Sequence, residues 1–104
     1  MSWPESYAVV WRKGQGPVVP GRLQLGKCSV QLRGGLRSSP QAHDLRYADI
    51  SAVRLSRSSE ERVHGRPSLL LELVSLDCFF VAAVGSVGVV AELADLIAVA
   101  RTLA

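Results

Sequence analysis

Residues 79–104 read FFVAAVGSVGVVAELADLIAVARTLA, and the hydrophobic period changes inside this stretch at Gly85. Before Gly85 the residues are almost continuously apolar, which is typical of a strand buried on both faces. After it, apolar residues recur with the i, i+3, i+4, i+7 spacing of one helical face from Val89 to Leu103, and Ser86 is the expected N-cap. The stretch predicts a last β-strand that leads into a C-terminal helix over about 86–103.

The chain before this stretch reads as short strands separated by glycine, proline and charged residues. In GRLQL (21–25) leucines alternate with polar residues, and the alternation resumes beyond a tight turn at Gly26–Lys27, which predicts a hairpin with one dry face. Polar loops are expected at 34–41 and 58–66. The predicted strands are 7–11, 21–25, 29–33, 43–47, 51–57, 69–74 and 78–84. The expected core is Leu23, Leu25, Val30, Leu32, Ile50, Val53, Leu55, Leu71, Leu73 and Phe80.

The last two predicted strands are apolar on both faces. If Val74 pairs with Asp77 across their turn, one face carries Leu71 and Phe80. The opposite face is then a mostly apolar strip of Leu70, Val74, Phe79 and Val81. Because one dry face suffices for a sheet of this size, the strip needs a cover. Three explanations remain open: the N-terminal Trp3 and Pro4, another protein chain, or a register error that exchanges the two phenylalanines.

Charge is distributed unevenly along the 104 residues, of which 48% are hydrophobic and 20% charged, as in a single globular domain. Residues 12–66 hold eleven of the twelve Arg and Lys residues and four of the nine acids, so this segment carries +7 and the remainder −4. This polarity suits an anionic partner such as lipid head groups, nucleic acid or an acidic protein. Solvated strand surfaces are the alternative explanation.

The residues that usually carry catalysis are scattered. Cys28 and Cys78 form no metal-binding spacing, and His43 and His64 are isolated, as expected of solvent-exposed histidines. We therefore predict no catalytic residue, metal or cofactor. The first residues lack the positive charge of a signal peptide and no apolar run reaches the ~20 residues of a membrane span, which predicts a cytoplasmic protein.

Seven short strands followed by one amphipathic helix resemble a pleckstrin-homology-like (PH-like) domain of the bacterial type. The resemblance is carried by PGRLQL (20–25), LRYADISAVRL (45–55) and the strand and helix of 79–104. It covers nearly the whole chain and implies one domain over 1–104. It also implies a barrel of two packed antiparallel sheets, capped by the helix.

The resemblance implies a binding function, because domains of this kind mostly bind phosphoinositides, peptides or proteins. Lipid-binding members carry a Lys late in the first strand and two basic residues two positions apart in the second. Lys13 and Arg22 match the first two positions, and the third is Gln24. The first hairpin, WRKGQGPVVPGRLQLGK (11–27), is thus either a phosphate cradle or a hairpin with solvated charges. The candidate anion-binding residues are Arg12, Lys13, Arg22, Lys27 and Arg37.

The sequence predicts a non-enzymatic binding module that mediates protein–protein interaction, with a protein partner or a weak homo-oligomer. The alternative is a peripheral membrane module at the inner face of the membrane, whose basic first hairpin binds anionic phospholipid or phosphoinositide head groups. Nucleic acid is not an expected partner, because the basic segment lacks the interleaved aromatic residues that single-strand binding requires.

Overall fold

The computed structural model of the chain describes residues 5–56, 58, 61–85 and 88–103. Within these residues the chain forms seven strands and one α-helix, with a single 3₁₀ turn at Tyr47–Asp49 as the corner between the fourth and fifth strands. The elements are β1 (Glu5–Lys13), β2 (Val19–Leu25), β3 (Ser29–Leu36), β4 (Ser39–Arg46), β5 (Ile50–Ser56), β6 (Ser68–Leu73), β7 (Cys78–Ala83) and α1 (Gly88–Leu103). The prediction of a mainly β chain with a C-terminal helix is confirmed, while the expected N-cap Ser86 lies outside the described residues.

The seven described strands form a single antiparallel sheet in the order β4-β3-β2-β1-β7-β6-β5. Strand β1 makes the sheet continuous, because it pairs with β2 on one edge and with β7 on the other. The sheet curls into a half-barrel, so that residues of β2, β3, β6 and β7 contribute to one core. The structure thus has one sheet where the sequence predicted two packed sheets.

The helix packs one face into this half-barrel. Leu93 and Ile97 are fully buried and Val90 nearly so, as the helical period predicts. Arg101 fixes the C-terminal turn, since its Nε donates to the carbonyl of Ile50 at 3.0 Å and its Nη2 to that of Ser51 at 2.9 Å. Within the described residues, no helix has the length and hydropathy that a bilayer span requires.

The hairpin of β2 and β3 confirms the alternation, but the loop predicted after it is wrong. In the turn between β2 and β3, the amide of Gly26 donates to the carbonyl of Ser29 at 2.9 Å. Strand β3 continues through Gly34 and Gly35 to Leu36, and β4 begins at Ser39. Gly34 lies opposite Gly21, where a Cβ on Gly21 would come within 1.8 Å of the Arg33 carbonyl oxygen. These glycines permit a close approach of two strands, rather than opening a loop.

The register predicted for β6 and β7 is wrong by one residue. Leu71 pairs with Phe79 and Leu70 with Phe80, because the turn contains three residues instead of two. The amide of Leu73 donates to the carbonyl of Asp77, and Leu76 adopts a positive φ of 76° that completes the longer turn.

The shifted register exchanges the two faces of β7, while the faces of β6 are as predicted. The strip predicted on the outer face does not exist. Phe79 and Val81 lie in the inner core, Leu70 is buried on the outer face, and Val74 is exposed. Phe80, predicted to be in the inner core, lies on the outer face. One further core prediction fails, since Leu55 is 47% exposed on the edge strand β5.

The outer face of β1, β7 and β6 is covered by the chain itself. Val63, in the segment between β5 and β6, is 1% exposed and packs on a second hydrophobic cluster that contains Val10, Leu70, Phe80 and Ala82. We call residues 61–67 the strap. Arg66 anchors the strap by donating to the carbonyls of Ala83 and Gly85 at 3.1 and 3.0 Å. Of the three proposed explanations, the register error applies; Trp3 and Pro4 lie outside the described residues.

Candidate interaction groove

Arg12 is a structural residue of the outer cluster. It is 7% exposed, its Cζ lies 4.1 Å from the centroid of the Phe80 ring, and its Nη1 donates to the carbonyl of Gly14. A guanidinium over an aromatic face in this geometry forms a cation–π contact. The burial and these contacts remove Arg12 from the predicted anion cradle.

The other predicted basic residues do not converge on one site. Lys13 pairs with Phe79, so it lies on the inner side of β1, where its Nζ is 3.9 Å from an Asp77 carboxylate oxygen. Arg22 pairs with Ala8 on the outer side. Lys27 lies in the turn after β2 and Arg37 in the turn after β3, at opposite ends of β3. The cradle predicted from the first hairpin is thus dispersed over two faces and two turns.

His43 packs between aromatic rings, in contrast to the exposed histidine that the sequence predicted. Its ring centroid is 5.3 Å from that of Trp11 and 5.0 Å from that of Phe79, both edge-to-face. It joins β4 to β7 across the interior of the half-barrel. Burial, with a smaller contribution from the charge of Lys13, lowers the pKa of His43, so the neutral imidazole is favoured.

An apolar groove of about 640 Å³ lies between the second half of α1, the β2–β3 turn and the 3₁₀ corner. The helix contributes Leu96, Val99 and Leu103, which are 38%, 60% and 82% exposed. These residues form a second apolar stripe beside the one that faces the core. The described lining of the groove is Leu25, Gly26, Lys27, Cys28, Arg46, Tyr47, Ala48, Leu96, Val99, Ala100 and Leu103.

Tyr47 fixes the wall of the groove opposite the helix. Its hydroxyl donates to the carbonyl of Gly26 at 2.8 Å, and its amide donates to the carbonyl of Cys28 at 3.0 Å. Burial raises the pKa of Tyr47, with a smaller contribution from Cys28, so the hydroxyl stays protonated and remains a donor. The corner and the β2–β3 turn are therefore held together before any ligand binds.

The rim of the groove is cationic. Lys27 and Arg46 are exposed at its edge, and none of the lining residues that the structure describes is acidic. Glu92 lies one helical turn before Leu96 on the same side of α1, beyond the lining. An apolar floor beside two cations can bind apolar side chains that are accompanied by carboxylates. In the described part of the chain, no three His, Cys, Asp or Glu side chains come together as a metal site requires.

The groove was not predicted from the sequence, because the helical spacing of apolar residues does not separate the two apolar stripes of α1. Leu96 and Leu103 were counted with the core face, although they lie beside it. Val99 could have indicated the second stripe, since it is a large apolar residue that does not belong to the spacing of the core face. Arg46 and Tyr47 were interpreted as the end of the predicted strand 43–47.

Neither a protein-family model nor a curated protein matches this chain. A solved structure with a similar fold is the C-terminal domain of an unknown protein from Leishmania infantum. It shares 11% sequence identity with this chain at a TM-score of 0.69, and the match covers 94% of this chain and 82% of that one. At this identity the likeness shows the fold alone.

Proposed function

We propose that the chain is a PH-like domain, with a curled sheet equivalent to two packed sheets, and that it works as a non-enzymatic protein-interaction module in the cytoplasm. The order of seven antiparallel strands and a closing helix supports the fold assignment. The observation that carries the function is the apolar groove between α1 and the β2–β3 turn, with Lys27 and Arg46 on its rim.

The proposed occupant is a peptide segment of a partner protein that carries apolar side chains with Asp or Glu beside them. The volume of the groove is typical of a site for a few side chains. Burial of two or three apolar side chains contributes about 1.5–3 kcal/mol each, from which the loss of association entropy is subtracted. We therefore expect micromolar affinity, with the carboxylates contributing mainly to selectivity and association rate.

A concave groove favours a peptide over the membrane alternative, which depended on a basic first hairpin. Arg12 is buried and Lys13 faces Asp77, so the hairpin presents fewer free cations than its sequence indicates. Self-association through the strip of Leu70, Phe79 and Val81 also loses its basis, because these residues are buried within the chain.

Selection of a random peptide library against the intact chain tests this function. The selected peptides should combine apolar residues with Asp or Glu. Binding of a selected peptide should be lost in Val99→Glu and retained in Ala98→Glu, which places the same charge at a neighbouring exposed position of α1. Lys27→Glu should weaken the binding of acidic peptides and leave the binding of neutral analogues unchanged.

Two results would contradict the proposal. The first is equal peptide binding by Val99→Glu and Ala98→Glu, which would place the contact elsewhere. The second is cosedimentation of the wild type with anionic vesicles that Val99→Glu abolishes, without selection of any peptide. That outcome would assign the groove to a membrane surface.

A further inference from the structure

Two arginines face each other across the hairpin of β2 and β3. Arg22 and Arg33 are direct cross-strand partners, and both are exposed on the outer side of the sheet. Like charges directly opposite each other in an antiparallel pair destabilise the sheet. An anion held between the two guanidinium groups would relieve this repulsion.

The protein does not provide that anion among its described side chains. Arg22 donates from Nε to the Ser6 hydroxyl at 2.7 Å, and Arg33 donates from Nη2 to the amide oxygen of Gln31 at 3.0 Å. Both acceptors are neutral, and neither arginine has an ion pair with a described carboxylate. Arg54 differs, since Glu61 and Glu72 lie 3.1 and 3.5 Å from its guanidinium nitrogens.

The two guanidinium groups border a cleft of about 290 Å³, lined by Ser6, Gly21, Arg22, Gln24, Arg33 and Gly34. All the described lining residues of the cleft are either polar residues or glycines. Each guanidinium has five N–H donors in a planar fork, so several remain for a ligand after the contacts to Ser6 and Gln31. The cleft is therefore rich in donors and carries two positive charges.

The backbone beneath the arginines is held in place. Trp11, 1% exposed, donates from Nε1 to the carbonyl of Arg33 at 3.2 Å. Gly21 and Gly34 bring the strands so close that a Cβ on Gly34 would come within 2.4 Å of the Pro20 carbonyl oxygen. The strand positions that carry the two guanidinium groups are thus set without a ligand, which lowers the ordering penalty on binding.

We propose that Arg22 and Arg33 form a binding site for a phosphate-class oxyanion. A dianion neutralises both charges, and its three or four oxygens can accept bidentate bonds from two guanidinium forks. The site is separate from the inner side of β1, where Lys13 lies, and from the groove beside α1. Its ligand is either a soluble phosphate monoester or the phosphate of a lipid head group.

Titration of the intact chain with inorganic phosphate at constant ionic strength tests the site. The Nε–Hε resonances of Arg22 and Arg33 should shift along a saturable curve, with chloride producing no such curve. Arg22→Gln and Arg33→Gln should each weaken phosphate binding by about tenfold or more. Arg37→Gln removes the same charge from an exposed position in the β3–β4 turn and should bind phosphate as the wild type does.

Thermal unfolding provides a second readout. Phosphate should raise the Tm of the wild type and of Arg37→Gln, and not that of Arg22→Gln. Without phosphate, Arg22→Gln should have the higher Tm, because the repulsion is removed. Linear, non-saturable shifts, or equal losses in Arg22→Gln and Arg37→Gln, would overturn the proposal by showing general screening.

Two further binding experiments distinguish a soluble phosphate monoester from the phosphate of a lipid head group. Binding of glycerol phosphate with no preference for vesicles that contain phosphatidic acid identifies a soluble ligand. Cosedimentation with those vesicles, lost in Arg22→Gln and retained in Arg37→Gln, identifies a head group. If the chain binds none of inorganic phosphate, glycerol phosphate and these vesicles, the proposed phosphate site is wrong. The proposal of a peptide groove would not be affected by that result.

Discussion

Phe79 and Phe80 are neighbours in the chain, yet they belong to different hydrophobic clusters. Phe79 lies in the inner core, to which all seven described strands and α1 contribute. Phe80 lies in the outer cluster, which consists of one part of the sheet and the strap. Each ring contacts a nitrogen-bearing side chain: His43 lies against Phe79 and Arg12 over Phe80.

The difference shows how a sheet that is apolar on both faces can be completed by a single chain. The inner face needs the curl of the sheet and a helix, whereas the outer face needs only a short segment that inserts Val63. The apolar surface still available for a partner therefore lies on α1 beside the β2–β3 turn, and not on β6 and β7.

Truncation of the two phenylalanines tests this comparison most strongly. Phe79→Ala should lower the free energy of unfolding by about 3–5 kcal/mol, since it leaves a cavity in a close-packed core. Phe80→Ala should have a smaller effect, about 3 kcal/mol or less, because the strap and the Arg12 side chain can collapse into the space. Urea denaturation measures both. The reverse order would support the alternative register, with Phe80 inside.

The register of β6 and β7 could not be predicted from their residues. In β2 and β3 the polar residues occupy one face, so any slip would bury charge, and the predicted alternation is confirmed. In β6 and β7 both faces are apolar, so a slip of one residue changes little in the pattern. The decisive feature is Leu76 at a positive φ, a conformation in which glycine or asparagine is the usual residue.

The candidate sites, like the register of β6 and β7, depend on features that the local sequence pattern does not determine. The sequence identified the basic residues, but whether a strand residue faces inward or outward depends on its distant neighbours. Arg12 contacts Phe80 only because β1 pairs with β7, 68 positions later in the chain for this pair. The tight turn predicted at Gly26–Lys27 would pair Leu25 with Cys28, whereas Leu25 pairs with Val30, so the pairing of Arg22 with Arg33 was not predicted. That both arginines lie on the polar face of the hairpin was predictable from the alternation. The groove was not, because it depends on where α1 lies against the β2–β3 turn.

Weakening the strap should affect the outer cluster alone. Val63→Ala removes two buried methyl groups and should lower the free energy of unfolding by about 1–2 kcal/mol. Hydrogen exchange should accelerate at the strap amides of Val63 and Arg66, which are bonded to each other's carbonyls, and remain unchanged in α1. Val84→Ala, at a half-exposed position, is the control and should alter neither. Equal acceleration throughout the chain would indicate one cooperative core instead of two clusters.

The smallest expected effect is a difference in pH dependence between the two clusters. On the inner side, the pKa of His43 is lowered from 6.5, chiefly by burial. On the strap, hydrogen bonds from Ser56 and then from Arg54 lower the pKa of Glu61 from 4.5. The inner core and the strap should therefore weaken in different pH windows.

For both groups the lowered pKa means that the unfolded chain takes up the proton first. The contribution of His43 to the free energy of unfolding is complete above pH 6.5 and is lost as the pH falls through its lower folded pKa. The contribution of Glu61 is complete above pH 4.5 and is lost as the pH falls through its own lower folded pKa. His43→Phe, which retains a ring against Trp11 and Phe79, should remove the decline that begins near 6.5. Glu61→Gln should remove only the more acidic one. A decline near 6.5 that persists in His43→Phe would mean that the inner ring contact is insensitive to protonation, and the two clusters would then share a single acid transition.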